Sequence, residues 1–209
     1  MSVVGRRPES LTVGHVGQPF EGENLLHILC VNSREAELVE LVRIASTMLS
    51  ASQCGEVFWA QAKGAFFTAP PMVHYGGTPL GYAVAFSLQK AVRAMLTAGH
   101  TSNHASACRG LISLNDAEHF ACSITGYLPI HVAVANSLTE MYEVLVHTPG
   151  MGHSGYHISA DPKALTTIGS VSDYSMLGPL QLAGVLGHKK MVKYILRCRA
   201  HQQWSWGPV

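Results

Sequence analysis

The chain begins one short sequence pattern four times, and this repetition constrains the fold more than any other feature. The pattern opens with a residue at the place of a helix cap, continues with proline or leucine, and then becomes apolar. Its occurrences are Asn24-Leu-Leu-His-Ile-Leu29, Thr78-Pro-Leu-Gly-Tyr-Ala83, Leu128-Pro-Ile-His-Val-Ala133 and Gly178-Pro-Leu-Gln-Leu-Ala183. A second amphipathic segment follows each occurrence after about one loop. The repetition therefore predicts pairs of helices that pack side by side.

The pattern resembles the Thr-Pro-Leu-His-x-Ala signature of ankyrin repeats. We therefore expect an all-α ankyrin repeat solenoid of about four helix pairs. The occurrences begin at residues 24, 78, 128 and 178, which gives spacings of 54, 50 and 50 residues, whereas an ankyrin repeat needs only about 33. Each connection must therefore carry a long insertion, here called a finger, and such insertions collect on one face that is often the binding face.

Composition excludes some classes of partner. The chain has 14 basic and 13 acidic residues and a formal net charge of +1, so nucleic acid is not an expected partner. Charged residues make up 13% of the chain, against about 25% in typical soluble domains. This low share suggests that part of the surface meets another protein or another part of a longer chain.

We expect a soluble, cytosolic chain. No run of residues reaches the roughly 18 consecutive apolar residues of a membrane helix, and the N-terminus lacks a basic-then-apolar export signal. The five cysteines are scattered and never spaced as Cys-x-x-Cys. Reduced thiols are therefore the expected state.

The first finger, roughly residues 50–75, carries several large apolar side chains on a segment too short to bury them internally. Its aromatic residues include Phe58, Trp59, Phe66 and Phe67. An aromatic patch on a loop is a candidate docking surface. The alternative is that these aromatics only hold the finger against its own repeats.

Two segments narrow the resemblance from ankyrin repeats in general to one family. The run Gly55-Glu56-Val57-Phe58-Trp59, then Lys63-Gly64, then Tyr75-Gly76-Gly77-Thr78-Pro79-Leu80 is similar to the third finger of vanilloid-type transient receptor potential channels. The run Trp204-Ser205-Trp206-Gly207-Pro208-Val209 resembles the segment that follows the last ankyrin repeat of those channels. The resemblance spans residues 22–209.

The resemblance implies a division of the chain into three parts. Residues 1–21 would be a leader, expected to be disordered or a remnant of an earlier repeat. Residues 22–203 would form the ankyrin repeat domain, equivalent to the last four of the family's six repeats. Residues 204–209 would begin the linker toward the membrane domain.

The resemblance also implies a function without catalysis. The chain would be a cytosolic part of a tetrameric cation channel, on the cytoplasmic side of the membrane, whose fingers and linker contact neighbouring subunits of a homotetramer. The residues that would take part in such contacts are Phe58, Trp59, Phe66, Phe67, Tyr75, Trp204 and Trp206. Calmodulin is a further partner in some members of the family. Anionic lipid is another, for which the basic helix face of Lys189, Lys190, Lys193 and Arg197 is the candidate.

Other functions find less support in the sequence. No cofactor is expected, because the nucleotide site of the family would place Glu23 and Val31 where other residue types are required. His27 and His131 fall on the ankyrin signature position, where histidine bonds backbone between repeats, so we expect no metal site. No phosphate-binding loop or catalytic triad context occurs, so we expect no enzyme. A free-standing ankyrin adaptor that docks an unrelated protein remains the alternative function.

Overall fold

The computed structural model describes residues 19–68, 72–98, 117–147 and 177–199. Within these ranges the chain is helical and contains no β-strand, so the predicted all-α class is confirmed there. The α-helices are α1 (Leu25–Val31), α2 (Glu35–Met48), α3 (Ala51–Phe58), α4 (Pro79–Ala85), α5 (Gln89–Thr97), α6 (Ala117–Phe120), α7 (Pro129–Ala135), α8 (Thr139–His147), α9 (Pro179–Val185) and α10 (Lys189–Arg199). Two short 3-10 helices span Ala65–Thr68 and Met72–Tyr75.

Eight of these helices form four hairpins that stack in chain order. The first hairpin is α1 with α2, the second α4 with α5, the third α7 with α8 and the fourth α9 with α10. Along one side of the stack α1 contacts α4, α4 contacts α7 and α7 contacts α9. Along the other side α2 contacts α5, α5 contacts α8 and α8 contacts α10. Each hairpin therefore packs mainly on its neighbours in sequence, as the repeated pattern predicts.

The first helix of each hairpin begins at the repeated pattern for local chemical reasons. The Asn24 side chain accepts hydrogen bonds from the backbone N–H groups of Leu26 (3.0 Å) and His27 (3.3 Å). The Thr78 hydroxyl accepts one from Gly81 N–H at 3.1 Å. Helices α4, α7 and α9 begin with proline, whose fixed φ suits the first helical position and whose missing N–H is not needed there.

The turn inside each hairpin uses the same backbone conformation four times. One residue between the two helices has a positive φ: Ser33 (54°), Ser87 (57°), Ser137 (55°) and Gly187 (71°). Their spacings repeat the 54, 50 and 50 residues of the helix starts. A left-handed residue at this point reverses the chain tightly enough to lay the second helix against the first.

The core lies between hairpins rather than at a single centre. Helices α4 and α7 are buried along almost their whole length, because each is covered by a hairpin on both sides. Leu80 and Ile130 occupy the same place in the pattern and are 2% and 0% exposed. Both ends of the stack lack one such cover within the described ranges. Some pattern positions that are buried in the middle hairpins are therefore more exposed in the end hairpins, as at Leu25 and Ile28.

Histidine side chains join neighbouring hairpins, as the signature position predicts. The Nδ1 atom of His27 accepts a hydrogen bond from Asn24 N–H at 3.1 Å, so the proton is on Nε2, which donates to the Gly77 carbonyl at 3.0 Å. His131 repeats the arrangement, with Nδ1 accepting from Leu128 N–H and Nε2 3.0 Å from the Leu177 carbonyl. Both histidines are 0% exposed. Each buried histidine therefore has both ring nitrogens bonded, and one of them bonds the carbonyl just before the next hairpin.

The cysteines depart from the sequence expectation at one position. Cys54 is disulfide-bonded, so the expectation that all five thiols are reduced is wrong there. Cys30, Cys122 and Cys198 are free thiols. Burial raises the pKa of Cys30 to about 12, which keeps this thiol protonated and unreactive.

Truncating Leu80 tests the stacked core. We expect Leu80→Ala to lower the free energy of unfolding by roughly 2–5 kcal/mol, because it truncates a buried side chain of α4, the helix that packs between α1 and α7. Leu180→Ala is the matched control, since Leu180 holds the same pattern position in the last hairpin but is only half-buried. Urea unfolding of both variants measures the difference. Equal losses would contradict the asymmetry between inner and end hairpins.

Acidification tests the buried histidine bridge. Burial lowers the pKa of His27 from 6.5 to about 4, so between about pH 6.5 and pH 4 the unfolded chain binds a proton that the folded chain does not. The contribution of His27 to the free energy of unfolding is therefore fully present above pH 6.5. It falls as the pH is lowered toward 4, by about 3 kcal/mol in all. Urea unfolding between pH 7.5 and 4 would follow this loss. His27→Gln should be less stable at pH 7 and show a weaker pH dependence over that window.

Candidate protein-interaction surface

The first finger is an ordered segment over residues 50–68 and 72–75. Its helix α3 begins at a capping box in which the Ser50 hydroxyl accepts from Gln53 N–H at 3.4 Å and Gln53 Oε1 accepts from Ser50 N–H at 3.0 Å. Two 3-10 turns then carry the chain to the start of α4. The finger therefore has its own local structure and does not depend on the helix pairs alone.

Hydrogen bonds from Gln61 hold the finger to the segment before the third hairpin. The Gln61 Nε2 donates to the Ala121 carbonyl at 2.9 Å, and its Oε1 accepts from Ser123 N–H at 3.1 Å. Next to it, Ala62 N–H donates to the Gly77 carbonyl at 2.7 Å. The sequence did not single out Gln61, because its partners lie about 60 residues further along the chain.

Residues 19–21 lie along the finger. The backbone N–H groups of Lys63 and Gly64 donate to the Glu21 carbonyl at 2.9 Å and 3.2 Å, and Phe66 N–H donates to the Pro19 carbonyl at 3.1 Å. The Lys63 ammonium also lies 3.5 Å from the Glu21 carboxylate. The end of the expected leader is thus bonded to the finger, while residues 1–18 lie outside the described residues.

Two of the predicted interaction residues are buried inside the chain. Phe58 and Phe67 are each 3% exposed and belong to the core. Tyr75 is half-buried, with its ring 5.5 Å from Tyr82 and 5.1 Å from Phe86 between centroids. The burial of Phe58 and Phe67 favours, for these two, the alternative that they hold the finger against its own hairpins. A contact of these residues with a neighbouring subunit stays a prediction.

Phe66 is exposed and lies beside a second exposed aromatic. Phe66 and Phe20 are 45% and 46% exposed, and their ring centroids are 5.0 Å apart. We call these two residues the aromatic pair. The sequence analysis considered only Phe66 as an interaction residue, because 46 positions separate it from Phe20 and only the fold brings them together.

Trp59 lies at the end of α3 and is half-buried. Its ring stacks on that of His119, with centroids 4.1 Å apart and planes 11° from parallel. A shallow depression beside it is lined by Ser52, Gly55, Glu56, Trp59 and Ala60. Gly55 leaves room for the indole, since a Cβ there would approach Trp59 Cζ3 to 2.8 Å. Trp204 and Trp206, the other predicted tryptophans, lie outside the described residues.

Burial controls the electrostatics between the segment before α1 and helix α4. Partial burial raises the pKa of Glu23. The hydroxyl of Tyr82 is buried, has no hydrogen-bond partner among the described residues, and lies near that carboxylate. Burial likewise raises the pKa of Tyr82. Both groups therefore favour their protonated forms more than they would in water.

The last hairpin carries an unbalanced positive charge. Residues 177–199 contain five lysines and arginines and no acidic residue. Of these, Lys189, Lys190, Lys193 and Arg197 are exposed on α10. This is the helix face that the sequence analysis connected with anionic lipid.

Neither a metal centre nor a membrane span occurs within the described ranges. No three His, Cys, Asp or Glu side chains of the described residues are grouped closely enough to hold a metal ion. In the same part of the chain, no helix has the length and apolar character needed to cross a bilayer.

Comparison with known proteins finds similarity to a set of membrane channels. No family model matches the chain. It is 25% identical to transient receptor potential cation channel subfamily V member 5 of Rattus norvegicus over 206 residues, which cover 97% of this chain and 24% of that protein. Over 156 residues and 72% of the chain, it is 25% identical to member 5 of Homo sapiens and to member 6 of Rattus norvegicus. The chain is thus similar, at low identity, to vanilloid-type channels.

The similarity extends along the chain but covers little of the relatives. The chain spans about a quarter of the length of the rat member 5 protein and less than a fifth of the other two. The named relatives are cation channels.

Gly64 tests whether residues 19–21 hold the finger. A Cβ at Gly64 would lie 2.2 Å from the Pro19 carbonyl oxygen, so we expect Gly64→Ala to separate the two segments. The N–H groups of Lys63 and Phe66 should then lose at least about tenfold in hydrogen-exchange protection, which corresponds to roughly 1.4 kcal/mol. Gly184→Ala is the matched control, since a Cβ there meets nothing within 4 Å. Unchanged protection in Gly64→Ala would contradict this contact.

Proposed function

We propose that the chain is the cytosolic ankyrin repeat domain of a TRPV-like cation channel, where it supports subunit assembly and regulatory contacts and performs no catalysis. The observation that carries this proposal is the similarity to a vanilloid-type channel along 97% of the chain. The four stacked hairpins also support the proposal, because an ankyrin repeat domain is expected to have this architecture. In this proposal the domain lies on the cytoplasmic side of the membrane.

The ankyrin assignment is supported by details beyond the helix pairs. Each hairpin begins at a Thr-Pro-Leu-His-like pattern, and His27 and His131 bond the carbonyls that precede the next hairpin. The first of the long connections that the repeat spacing requires contains α3 and two 3-10 helices. A repeat array of this kind offers extended surfaces and no enclosed reaction site.

The assembly role is supported by the exposed part of the first finger. The aromatic pair places two phenylalanine rings in solvent on a segment fixed by backbone hydrogen bonds. Exposed aromatics on a rigid support are well suited to bury surface against a partner, because little conformational entropy is lost on binding. We propose a neighbouring subunit of a homotetramer as that partner, with Trp59 beside the contact and Trp204 and Trp206 in the adjoining linker.

Two further partners remain proposals with weaker support. The exposed lysines and arginine of α10 would attract anionic lipid if this helix lies near the membrane. Calmodulin binding rests on the family resemblance alone.

The full-length transcript gives the first test. We expect the reading frame to continue beyond residue 209 into six apolar stretches of about 20 residues each. A stop codon in place of those stretches would favour the free-standing adaptor.

Photo-cross-linking of the full-length protein in cells gives the second test. With benzoyl-phenylalanine in place of Phe66, we expect a covalent adduct between two subunits, because this exposed ring would face the neighbour. Val185 is the matched control position, since it is apolar and 58% exposed but lies on α9 in the last hairpin. Adducts from position 66 only to unrelated proteins, or to no protein, would contradict a role of the finger in subunit contacts.

A further inference from the structure

The last part of the first finger lies across the second and third hairpins. We call residues 72–76 the strap. The 3-10 helix of the strap packs on both α4 and α7. A Cβ at Gly76 would lie 2.4 Å from Val132 Cγ2, so the strap backbone approaches α7 closely. The strap therefore helps to bury the two helices at the middle of the stack.

The strap runs back along α4 instead of projecting away from it. It ends two positions before Thr78, the cap of α4. The Tyr75 ring nevertheless lies 5.1 Å between centroids from that of Phe86, at the other end of this helix. The Asn136 side chain, at the end of α7, donates to the His74 carbonyl at 3.1 Å. One short segment is therefore fixed to the ends of two helices.

Two histidines meet at the end of α7. His188, in the turn before α10, donates from Nε2 to the Ala135 carbonyl at 2.9 Å. The next residue, Asn136, bonds the His74 carbonyl. Consecutive residues of one helix end thus bring His74 and His188 together, although one belongs to the first finger and the other to the fourth hairpin.

The surroundings of His74 suit a neutral imidazole. Its Nδ1 is buried and has no hydrogen-bond partner among the described residues. An imidazolium carries an N–H on both ring nitrogens, and a buried N–H without an acceptor is costly. Burial and the nearby His188 both lower the pKa of His74.

The helices packed against the strap offer no negative charge to balance a proton on His74. Helices α4 and α7 and the first 3-10 helix contain no Asp or Glu. Tyr127 stacks on His74 with ring centroids 6.1 Å apart, at about the limit of a cation–π contact. The titratable side chains of the strap and of the segments around it are Tyr75, Tyr82, Tyr127, His131, His188 and, next to it in the chain, Lys189.

We propose that the strap is released by acid, because protonation of His74 and His188 separates residues 72–76 from α4 and α7. Two imidazolium ions at the end of α7 would repel each other, and release lets both reach water. Tyr75 then leaves Phe86, and α4 loses part of its cover. The release is a property of this chain and does not depend on the proposed subunit contact.

The direction of the pH effect follows from the two states of the strap. A released His74 takes up a proton near about pH 6.5, whereas a bound one does so only at lower pH. Lowering the pH below about 6.5 therefore favours the released strap. Raising it favours the bound strap.

Hydrogen exchange of the 209-residue chain at pH 7.5 and pH 5.5 tests the proposal. The measured quantity is the protection of residues 72–76, corrected for the intrinsic exchange rate at each pH. We expect the wild-type strap to lose at least about threefold in protection at pH 5.5. Comparison with α5, in the same hairpin as α4, separates release of the strap from unfolding of the whole stack, including the loss expected from His27.

Two substitutions at position 74 should give opposite results. His74→Gln carries no charge at either pH, so the strap should keep at pH 5.5 the protection that it has at pH 7.5. His74→Lys is charged at both, so the strap should already be at least about tenfold less protected at pH 7.5. His119→Gln is the matched control, since His119 is exposed and stacks on Trp59. It should leave the response to acid unchanged.

Two results would overturn the proposal. One is a wild-type strap that keeps its full protection at pH 5.5, and the other is a His74→Gln strap that loses as much as the wild type does. The protection of α5 shows whether each variant is folded. If His74→Gln does not fold, His188→Gln decides, because its amide can still donate to the Ala135 carbonyl but cannot be charged. An acid response of His188→Gln equal to that of the wild type would overturn the proposal.

Discussion

The structure depends on one constraint: the apolar face of each helix hairpin must be covered by the next hairpin. Helices α4 and α7 show this most clearly, because their side chains are buried on both sides. The contacts connect mainly hairpins adjacent in sequence, so stability is expected to be a sum of nearest-neighbour terms. His27 and His131 strengthen the same junctions, since each donates a hydrogen bond to the carbonyl just before the next hairpin.

The finger follows from that constraint. Neighbouring hairpins already cover each other's apolar faces. The insertion between the first and second hairpin therefore needs to bury only part of its own apolar surface. Phe58 and Phe67 supply that part and join the core. Phe66 is left outside with Phe20, on a segment fixed at Lys63 and Gly64 by bonds to Glu21. A rigid support with an exposed aromatic pair is the combination that makes this surface a candidate for binding.

Sequence reasoning was most successful where the chemistry is local. Asn24 and Thr78 cap helices because their side chains reach backbone N–H groups two or three residues away. The bridging role of His27 could also be predicted, because histidine at this position of the ankyrin signature bonds backbone between repeats. Sequence reasoning was weakest within the finger. There it grouped Phe58, Phe66 and Phe67 as one patch, although burial separates Phe66 from the other two.

The sequence by itself determined that the chain forms paired helices, where each first helix begins, and that His27 and His131 bond backbone between pairs. These features depend on interactions over a few residues, or on a pattern that repeats at a fixed spacing. Only the tertiary structure decided that Phe20 meets Phe66 and that Gln61 holds the finger to residues 121–123. It also decided that Ile28 is exposed while Tyr82, Val132 and Leu182, at the equivalent positions, are buried. These outcomes depend on which surface lies beside each residue, and a side chain's place in a repeat does not say whether a neighbouring hairpin covers it.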